Sequence, residues 1–407
     1  MEQKKIGLIG RTLKHSYSKI IHDKFGEYDY RLYEIEPEQL NSFSKGDLNG
    51  FNVTIPYKKD IMPYLDQIDE FAKSVGAVNT VVKKCGKLYG YNTDFNGMLY
   101  MLDMAGINLN DKNVMILGSG GTSNTAIAVA KYCKAKSVVV VSRSGKVNYN
   151  NCYDLVDTQI IINTTPVGMY PNIDGAPVDI SKFPRLVGVA DAIYNPSLTM
   201  LTYKAKESGL KYTNGLPMLV AQAKYAMEHF IDNKCDDSII QKIIDEINLQ
   251  TLNVVLIGMP SCGKSSIGRA VAEKLNREFI DTDSVIEQRV GKSIPQIFNE
   301  HGEEYFRRLE TQVIKDVCIE SGKVIATGGG VVKKSENEFF IKCNSKVIYI
   351  DRNVELLVTD GRPLSKDKSA IKRLYNERKD LYNKIADIVV ENNGDISCAI
   401  NGVLNCL

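Results

Sequence analysis

The stretch LNVVLIGMPSCGKSSIG, residues 252–268, decides the fold of the second half of this 407-residue chain. A short apolar run leads into a loop, Gly258 to Ser265, that fits GxxxxGKS, and a helical pattern follows. Such a loop presents backbone N–H groups to phosphates at a helix N-terminus. We therefore predict a nucleotide phosphate loop, in which Lys264 neutralises the β- and γ-phosphates and Ser265 reaches Mg²⁺. The loop residues predicted to contact the nucleotide are Gly258, Pro260, Ser261, Cys262, Gly263, Ser265 and Ser266.

A second glycine turn, LGSGGTSN at 117–124, lies in the first half of the chain. It also joins an apolar run to a helical pattern, which is the setting for a dinucleotide pyrophosphate, although Ser123 replaces the third glycine of GxGxxG. The next apolar run, SVVVVSRS at 137–144, ends in Arg143 and lacks an acidic residue for a ribose hydroxyl. Arginine there favours the 2′-phosphate of NADP over NAD. The cofactor residues predicted here are Gly118, Ser119, Gly120, Gly121, Ser142, Arg143 and Ser144.

Composition and charge narrow the class of protein. Apolar residues form 43% of the chain and charged residues 25%, as in folded globular proteins, and the net charge is +2. So small a charge provides no field for nucleic acid or a membrane surface, and no apolar run reaches the roughly 20 residues of a membrane span. The nine cysteines lack metal-ligand spacing, and the N-terminus passes directly into an apolar run. We therefore expect a cytoplasmic enzyme of small-molecule substrates, with no nucleic acid or membrane partner, either monomer or dimer.

Fully apolar runs alternate with helical patterns along the whole chain, from KIGLIG near the N-terminus to KVIYID at 346–351. Apolar strands separated by helices indicate parallel sheets covered on both faces, so the fold class is α/β. One boundary is expected near 249–252, where a helical pattern passes into the phosphate-loop strand without a flexible linker. A second is expected near residue 106, where the helical pattern TDFNGMLYMLDMAG ends.

Two carboxylates and three arginines follow the phosphate loop. Asp281 and Asp283, in EFIDTDSVIE (278–287), are two residues apart at a strand end and therefore lie on the same side. One can join the metal shell while the other accepts the proton of an acceptor hydroxyl. An arginine alone usually lies on an exposed surface, but three arginines that follow a phosphate loop favour a role in the same site. They are Arg307 in GEEYFRRLE (302–310), Arg362 in DGRPLS (360–365) and Arg378 in YNERKDLY (375–382).

Residues 253–395 resemble the shikimate kinases, because the Asp281/Asp283 pair, FRRLE, GGG, RPL and ERKDLY occur in that order. The resemblance implies a P-loop NTPase fold of the nucleoside monophosphate kinase type, with ATP and Mg²⁺. It implies that Asp281 orients Mg²⁺ through water and that Asp283 binds the hydroxyl that is phosphorylated. Lys264 and Arg362, the latter in the lid, would assist catalysis. The implied substrate-binding residues are Arg307, Gly329, Gly330 and Arg378.

The first half resembles the shikimate dehydrogenases over about 230 residues. The motifs that carry this resemblance are HSYS (15–18), NVTIPYK (52–58), GAVNT (76–80), YNTDFNG (91–97), INTTPVGM (162–169), DAIYNP (191–196) and NGLPMLVAQA (214–223). The resemblance implies a substrate-binding α/β domain, formed by residues 1–105 with helices at about 216–249. A Rossmann-like NADP domain at 106–215 and the kinase domain at 252–407 complete the predicted organisation.

The dehydrogenase resemblance also implies residue roles. Lys58 and Asp94 form the catalytic pair, and a cationic donor beside the carbonyl oxygen suits a hydride reduction, because the alkoxide needs a proton. Which of the two is the principal donor is left open. The implied substrate-binding residues are Ser16, Ser18, Thr54, Asn79, Tyr194 and Gln222, and Gly215 and Met218 are implied to contact the cofactor.

One departure from the family pattern concerns residues 145–159, GKVNYNNCYDLVDTQ. A strand–helix–strand crossover usually needs 30 or more residues, so a helix and a strand of the adenosine side are expected to be missing. We predict a raised KM for NADPH with intact chemistry. The leading hypothesis is a bifunctional enzyme that reduces 3-dehydroshikimate to shikimate with NADPH and then phosphorylates shikimate. The alternatives are a non-catalytic or a quinate-preferring dehydrogenase-like half beside an active kinase.

Overall fold

Two compact units make up the chain in a computed structural model that describes residues 3–13, 17–358 and 368–407. The N-terminal unit comprises Met1–Tyr194 and Leu201–Glu246, and the C-terminal unit comprises Asn195–Met200 and Ile247–Leu407. Two predicted site residues, Ser16 and Arg362, lie outside the described residues. In the part of the chain that the structure describes, no helix combines the length and apolar character needed to cross a membrane.

The first sheet of the N-terminal unit mixes parallel and antiparallel pairs. Its strands are β1 (Lys5–Gly10), β2 (Asp29–Glu34), β3 (Gly50–Val53), β4 (Gln67–Ile68), β5 (Thr80–Lys84) and β6 (Lys87–Tyr91). They are ordered β2-β1-β3-β5-β6-β4, with β5 antiparallel to β3 and β6. The α-helices in this part are α1 (Tyr17–Phe25), α2 (Leu40–Ser44), α3 (Glu70–Val75) and α4 (Thr93–Met104). The loop after β3 carries Lys58, and the first turn of α4 carries Asp94.

The second sheet of this unit is parallel, as the apolar runs predict. Its strands are β7 (Asn113–Leu117), β8 (Ser137–Val141), β9 (Ile160–Asn163), β10 (Gly188–Asp191) and β11 (Lys211–Thr213), ordered β11-β10-β9-β7-β8. The helices are α5 (Gly121–Tyr132), α6 (Met200–Glu207), α7 (Leu216–Ile231) and α8 (Ser238–Thr251). Between β8 and β9, residues 142–159 contain a single 3₁₀ turn, Cys152–Asp154, where a longer crossover would carry an α-helix.

Helices α4 and α7 approach each other closely at Gly97. A Cβ atom there would lie 2.6 Å from the carbonyl oxygen of Met218 and 3.0 Å from Cβ of Gln222. Contacts below 3.0 Å force a shift of the backbone, so only glycine fits between the two helices. This packing places the helix that carries Asp94 beside the helix that carries Gln222.

The C-terminal unit is built on a parallel sheet with helices between its strands. The strands are β12 (Asn253–Ile257), β13 (Phe279–Asp281), β14 (Val324–Ala326), β15 (Ser345–Asp351) and β16 (Ile388–Glu391), ordered β13-β14-β12-β15-β16. The helices are α9 (Lys264–Leu275), α10 (Thr282–Val290), α11 (Ile294–Cys318), α12 (Ser335–Lys342), α13 (Lys368–Ile385) and α14 (Ile396–Asn405). Parallel strands end at one edge, so the phosphate loop, Asp281 and the glycines after β14 meet there.

Non-helical dihedrals at Gly302, φ 79° and ψ 174°, divide α11 into two segments joined by a kink. The second segment carries Arg307. Shorter 3₁₀ helices occur at Pro37–Gln39, Met62–Tyr64, Ile180–Lys182, Val331–Lys333 and Val354–Leu356.

Candidate active sites

Lys58 and Asp94 both line a cavity of about 180 Å³ in the N-terminal unit. Lys58 Nζ donates a 2.6 Å hydrogen bond to Asp94 Oδ2, and the two side chains are 29% and 18% exposed. An ammonium group held by a carboxylate in a partly buried cavity can pass a proton to an oxygen that gains negative charge. The pair therefore has the geometry that carbonyl reduction needs.

Buried amides hold the start of α4 in place beside this pair. Asn79 Oδ1 accepts a hydrogen bond of 2.7 Å from Thr93 N, and Asn79 Nδ2 donates to Thr93 Oγ1 at 3.1 Å. Asn52 Oδ1 accepts from the Tyr30 hydroxyl at 2.8 Å, so Asn52 is also fixed. Fixed polar groups bind hydroxyls at little cost in side-chain entropy. The predicted substrate-binding residues that line this cavity are Ser18, Thr54, Asn79, Tyr194 and Gln222.

A second cavity in the same unit, of about 660 Å³, surrounds the glycine turn after β7. Gly118 has a φ of 106°, and a Cβ atom there would lie 2.8 Å from Thr164 Oγ1, so the turn requires glycine. Gly120 is the N-cap residue of α5 and has no side chain that could accept a hydrogen bond from the first turn of this helix. The backbone N–H groups at such an N-terminus can bind a phosphate group. The residues present thus fit a dinucleotide cofactor.

The structure separates the predicted cofactor residues into three groups. Gly118, Ser119, Gly120, Ser142 and Arg143 line the larger cavity. Among the described residues, Gly121 and Ser144 are not part of that lining. Gly215 and Met218 line the smaller cavity with Lys58 instead, and the backbone of Ala192 passes too close to Gly215 for any side chain there.

The phosphate loop of the C-terminal unit has the strained backbone that such a loop needs. Gly258 and Gly263 have φ values of 147° and 101°, and Ser261 has a φ of 66°. Lys264 Nζ donates to the carbonyl oxygens of Gly258 at 3.0 Å and Met259 at 2.9 Å. The lysine ammonium is therefore held over the loop at the N-terminus of α9, which fits the binding of a nucleoside triphosphate.

Ser265 and Asp281, the predicted metal residues, are in direct contact. Ser265 Oγ donates a 2.6 Å hydrogen bond to Asp281 Oδ2. Asp281 Oδ1 accepts from the backbone N–H groups of Asp283 at 3.1 Å and Ser284 at 3.4 Å, which caps α10. A hydroxyl and a carboxylate beside a phosphate loop are oxygen donors that fit Mg²⁺.

Arg307 and Arg378 are both buried near the strand edge. Arg307 donates to Glu310 Oε2 at 2.7 Å and to Glu303 Oε1 at 3.1 Å. Arg378 is 2% exposed, and its Nη1 donates to the carbonyl oxygen of Gly329 at 2.9 Å. Its Nε and Nη2 have no hydrogen-bond partner among the described residues. Buried guanidinium donors without partners favour an anionic ligand, because leaving them unbound is costly.

Three glycines after β14 leave room for these side chains. A Cβ atom at Gly328 would lie 2.6 Å from Asp283 Oδ1 and 2.8 Å from Glu310 Oε1. At Gly329 it would lie 2.6 Å from Pro260 Cδ, and at Gly330 it would overlap the Arg307 guanidinium. The triple glycine thus lets the carboxylates, the phosphate loop and the arginine converge.

Comparison with known proteins identifies both parts. Residues 8–81 match the family model of the shikimate dehydrogenase substrate binding domain, and residues 260–406 match the shikimate kinase model. A curated shikimate dehydrogenase (NADP(+)) of Clostridium perfringens is 36% identical over 266 residues, which are 60% of this chain and 98% of that protein. The chain belongs to the shikimate dehydrogenase family. Its C-terminal part is a shikimate kinase domain.

Solved structures agree with the dehydrogenase assignment. A chorismate mutase/shikimate 5-dehydrogenase fusion protein from Clostridium acetobutylicum is 34% identical with a TM-score of 0.58, covering 61% of this chain and 98% of that chain. A shikimate dehydrogenase in complex with NADP⁺ is 34% identical with a TM-score of 0.54, covering 60% and 96%. The chain therefore combines an oxidoreductase family with a phosphotransferase domain, and it is a bifunctional shikimate-pathway enzyme.

Sequence reasoning missed several residues of both sites. Glu310, the last residue of the motif FRRLE, has no predicted role, although it accepts a hydrogen bond from Arg307 and lies close to Gly328. In the dehydrogenase part, residues 164–167 of the motif INTTPVGM line the larger cavity, so this motif was the signal that could have identified them. The further lining residues that the sequence did not predict are Tyr149, Thr164, Thr165, Pro166, Val167, Ala176 and Pro177 in the larger cavity. In the smaller cavity they are Leu8, Asn52, Val53, Thr122, Ala192 and Leu219.

Proposed function

We propose that this enzyme reduces 3-dehydroshikimate to shikimate with NADPH and phosphorylates shikimate at its 3-hydroxyl with ATP and Mg²⁺. The observation that carries the first activity is the 2.6 Å contact between Lys58 and Asp94 in a cavity lined by hydroxyls and amides. The shikimate kinase match, together with the buried guanidinium of Arg378, supports the second. The product of one site is the substrate of the other.

In the dehydrogenase part, Lys58 and Asp94 would hold the proton that the carbonyl oxygen receives. Bound NADPH supplies the hydride. Lys58 would stabilise the developing alkoxide by its charge, and Asp94 would orient the ammonium group. We assign the substrate hydroxyls and carboxylate to Ser16, Ser18, Thr54, Asn79, Tyr194 and Gln222. The pyrophosphate is assigned to Gly118, Ser119, Gly120 and Gly121, the 2′-phosphate to Ser142, Arg143 and Ser144, and the nicotinamide end to Gly215 and Met218.

In the kinase domain, Asp283 would accept the proton of the shikimate hydroxyl. Bound ATP with Mg²⁺ supplies the phosphoryl group. Lys264 and Arg362 would stabilise charge on that group, and Ser265 and Asp281 would hold the metal. Arg307 and Arg378 would bind the substrate carboxylate, while Gly329 and Gly330 allow its close approach. The loop contacts to the nucleotide are assigned to Gly258, Pro260, Ser261, Cys262, Gly263 and Ser266.

The two activities can be separated by one substitution in each part. Purified protein with shikimate and NADP⁺, without ATP, should form NADPH, and Lys58→Ala should abolish this signal while phosphorylation of shikimate persists. Asp283→Asn should abolish phosphorylation and leave NADPH formation intact. If neither NADPH from NADP⁺ nor NADH from NAD⁺ forms, with shikimate or with quinate as substrate, the first part is a non-catalytic module. Loss of both activities in Asp283→Asn would contradict two independent sites.

We further propose three domains, residues 1–105 with helices at about 216–249, residues 106–215, and residues 252–407. The nine cysteines are unbridged, which supports a reducing compartment such as the cytoplasm. Limited proteolysis followed by activity assays of the fragments tests the domain division, and fractionation of the source cells tests the location.

A further inference from the structure

The short segment after β8 forms an ordered loop. Ser142 N donates to the carbonyl oxygen of Val147 at 3.2 Å, and Gly145 N donates back to that of Ser142 at 3.3 Å. A Cβ atom at Gly145 would lie 2.7 Å from Ser142 Oγ and 3.0 Å from the carbonyl oxygen of Val147, so the turn is tightly packed. The turn returns the chain to the end of β8 within five residues of Ser142, at Val147.

Asparagines lock the rest of this loop. Asn151 Oδ1 accepts a 2.7 Å hydrogen bond from Asn148 N, and Asn151 Nδ2 donates to the carbonyl oxygen of Lys146 at 3.2 Å. Cys152 N donates to the carbonyl oxygen of Asn148 at 2.9 Å. Tyr149 lies between these fixed points, so its backbone position is determined by hydrogen bonds on both sides.

Tyr149 connects the apolar core to the cofactor cavity. Its half-buried ring packs against the cluster that includes Val141 and Cys152, and it lines the cavity of about 660 Å³ together with Arg143. Burial raises the pKa of the Tyr149 hydroxyl, and the positive charge of Arg143 opposes that shift. Ala176 and Pro177 add apolar surface to the same cavity.

The topology indicates which end of the cofactor belongs here. Gly118 N donates to the carbonyl oxygen of Val141 at 2.8 Å, so the glycine turn and the end of β8 are neighbours. When the pyrophosphate lies at the turn, the adenosine lies at the end of the adjacent strand. Purine rings bind well to aromatic side chains, and replacing such a ring with alanine commonly weakens binding about tenfold.

We propose that Tyr149 forms the wall against which the adenine ring packs, and that Arg143 beside it holds the 2′-phosphate. This assignment rests on the proposed NADP-dependent function. In this assignment, the short loop supplies the contact to adenine on the side of the sheet where the usual crossover helix is missing. Since adenine is common to NADP and NAD, Tyr149 contributes to affinity for both, whereas Arg143 discriminates between them.

Calorimetric titration with adenosine 2′,5′-bisphosphate tests the proposal without requiring turnover. Tyr149→Ala should raise the Kd about tenfold, and Tyr149→Phe, which keeps the ring, should leave it within twofold. In the steady state, Tyr149→Ala should raise KM for NADP⁺ and NAD⁺ by the same factor with kcat unchanged, whereas Arg143→Ala should raise KM for NADP⁺ alone. Kinase activity should be unaffected throughout.

Tyr153→Ala is the matched control, because Tyr153 lies in the same segment and packs on Phe183 without lining the cavity. It should leave the bisphosphate Kd unchanged. An equal loss in Tyr153→Ala would assign the effect to general loosening and overturn the proposal, as would an unchanged Kd in Tyr149→Ala. A protein that binds the bisphosphate through Tyr149 but never forms NADPH would refute the proposed reaction and not this contact.

Discussion

Glu310 Oε2 accepts a 2.7 Å hydrogen bond from Arg307 Nη1, although the glutamate side chain is completely buried. Burial raises the pKa of the Glu310 carboxyl to about 7, Arg307 opposes this shift, and the nearby Asp283 adds to it. A group that titrates near neutrality thus contacts the guanidinium assigned to the substrate carboxylate. The kinase reaction should therefore respond to pH through Glu310.

Removing the charge of Glu310 should remove that response. Above pH 7 the ionised carboxylate competes with the substrate carboxylate for Arg307, and below pH 7 its protonation releases the guanidinium. KM for shikimate should therefore rise severalfold as pH increases through about 7, and Glu310→Gln should abolish this step. Initial rates of ADP release between pH 6 and 8 measure this change in KM.

Glu303→Gln is the control, because Glu303 is a half-exposed partner of the same arginine, and this variant should keep the rise of KM with pH. A rise that persists in Glu310→Gln would contradict the assignment.

Gly330 should not tolerate a methyl group, because a Cβ atom there would overlap the Arg307 guanidinium. We expect Gly330→Ala to lower kcat/KM for shikimate phosphorylation on the order of 100-fold by displacing the guanidinium that we assign to the substrate. NADPH formation by the same protein should be unchanged. Gly394→Ala is the control, since nothing lies within 4 Å of its added carbon. Equal kinase activity in both variants would show that Arg307 can move at no cost.

Arg378→Lys should weaken shikimate binding even though the charge is kept. The buried guanidinium has two donor nitrogens without partners, and a lysine cannot present the same planar pair to a carboxylate. We expect KM for shikimate to rise about tenfold, equivalent to about 1.4 kcal/mol, with KM for ATP unchanged. Arg373→Lys, at an exposed position on the same helix, should have no effect. A KM change for ATP alone would place Arg378 at the nucleotide instead.

The buried His22 should make the N-terminal unit sensitive to acid. Its ring stacks on Tyr30 with centroids 4.0 Å apart, and burial lowers its pKa to about 3. The unfolded chain binds this proton near pH 6.5 and the native state only near pH 3, so stability falls as pH decreases between these values. The free energy of unfolding should fall by up to about 1.4 kcal/mol for each pH unit in this range.

Urea unfolding at pH 6.5 and at pH 5 measures how the free energy of unfolding changes with pH. The fraction unfolded is followed as the loss of NADPH formation after brief exposure of the protein to urea. His22→Phe removes one titrating group and should make the slope shallower, even if its midpoint is lower because the hydrogen bond to Tyr28 is lost. The remaining slope should come from His229, whose pKa burial lowers to about 4. His301→Phe is the exposed control and should retain the wild-type slope. An unchanged slope in His22→Phe would assign the acid sensitivity to other groups.

The sequence predicted what depends on local pattern. The phosphate loop follows from strand, glycine spacing and helix, and the parallel sheets follow from apolar runs such as IIIN, which is buried along its whole length. Asp281 and Ser265, predicted from separate motifs, are in contact because their strands end at one edge.

What the sequence could not predict depends on tertiary approach. The triple glycine was expected to admit substrate, yet its three positions are constrained by four different residues that are distant in sequence. Glu310 resembles any surface glutamate on a helix until its burial is known. Tyr149 likewise looks like a loop residue until the fold shows that it lines the larger cavity.

Helix α8 runs from Ser238 to Thr251, and the last passage of the chain from the first unit to the second falls inside it, between Glu246 and Ile247. Anyone who wishes to produce the two catalysts as separate proteins has to cut through a folded helix or redesign its end. The cell, by contrast, obtains both catalysts from one translation event and therefore in equal numbers.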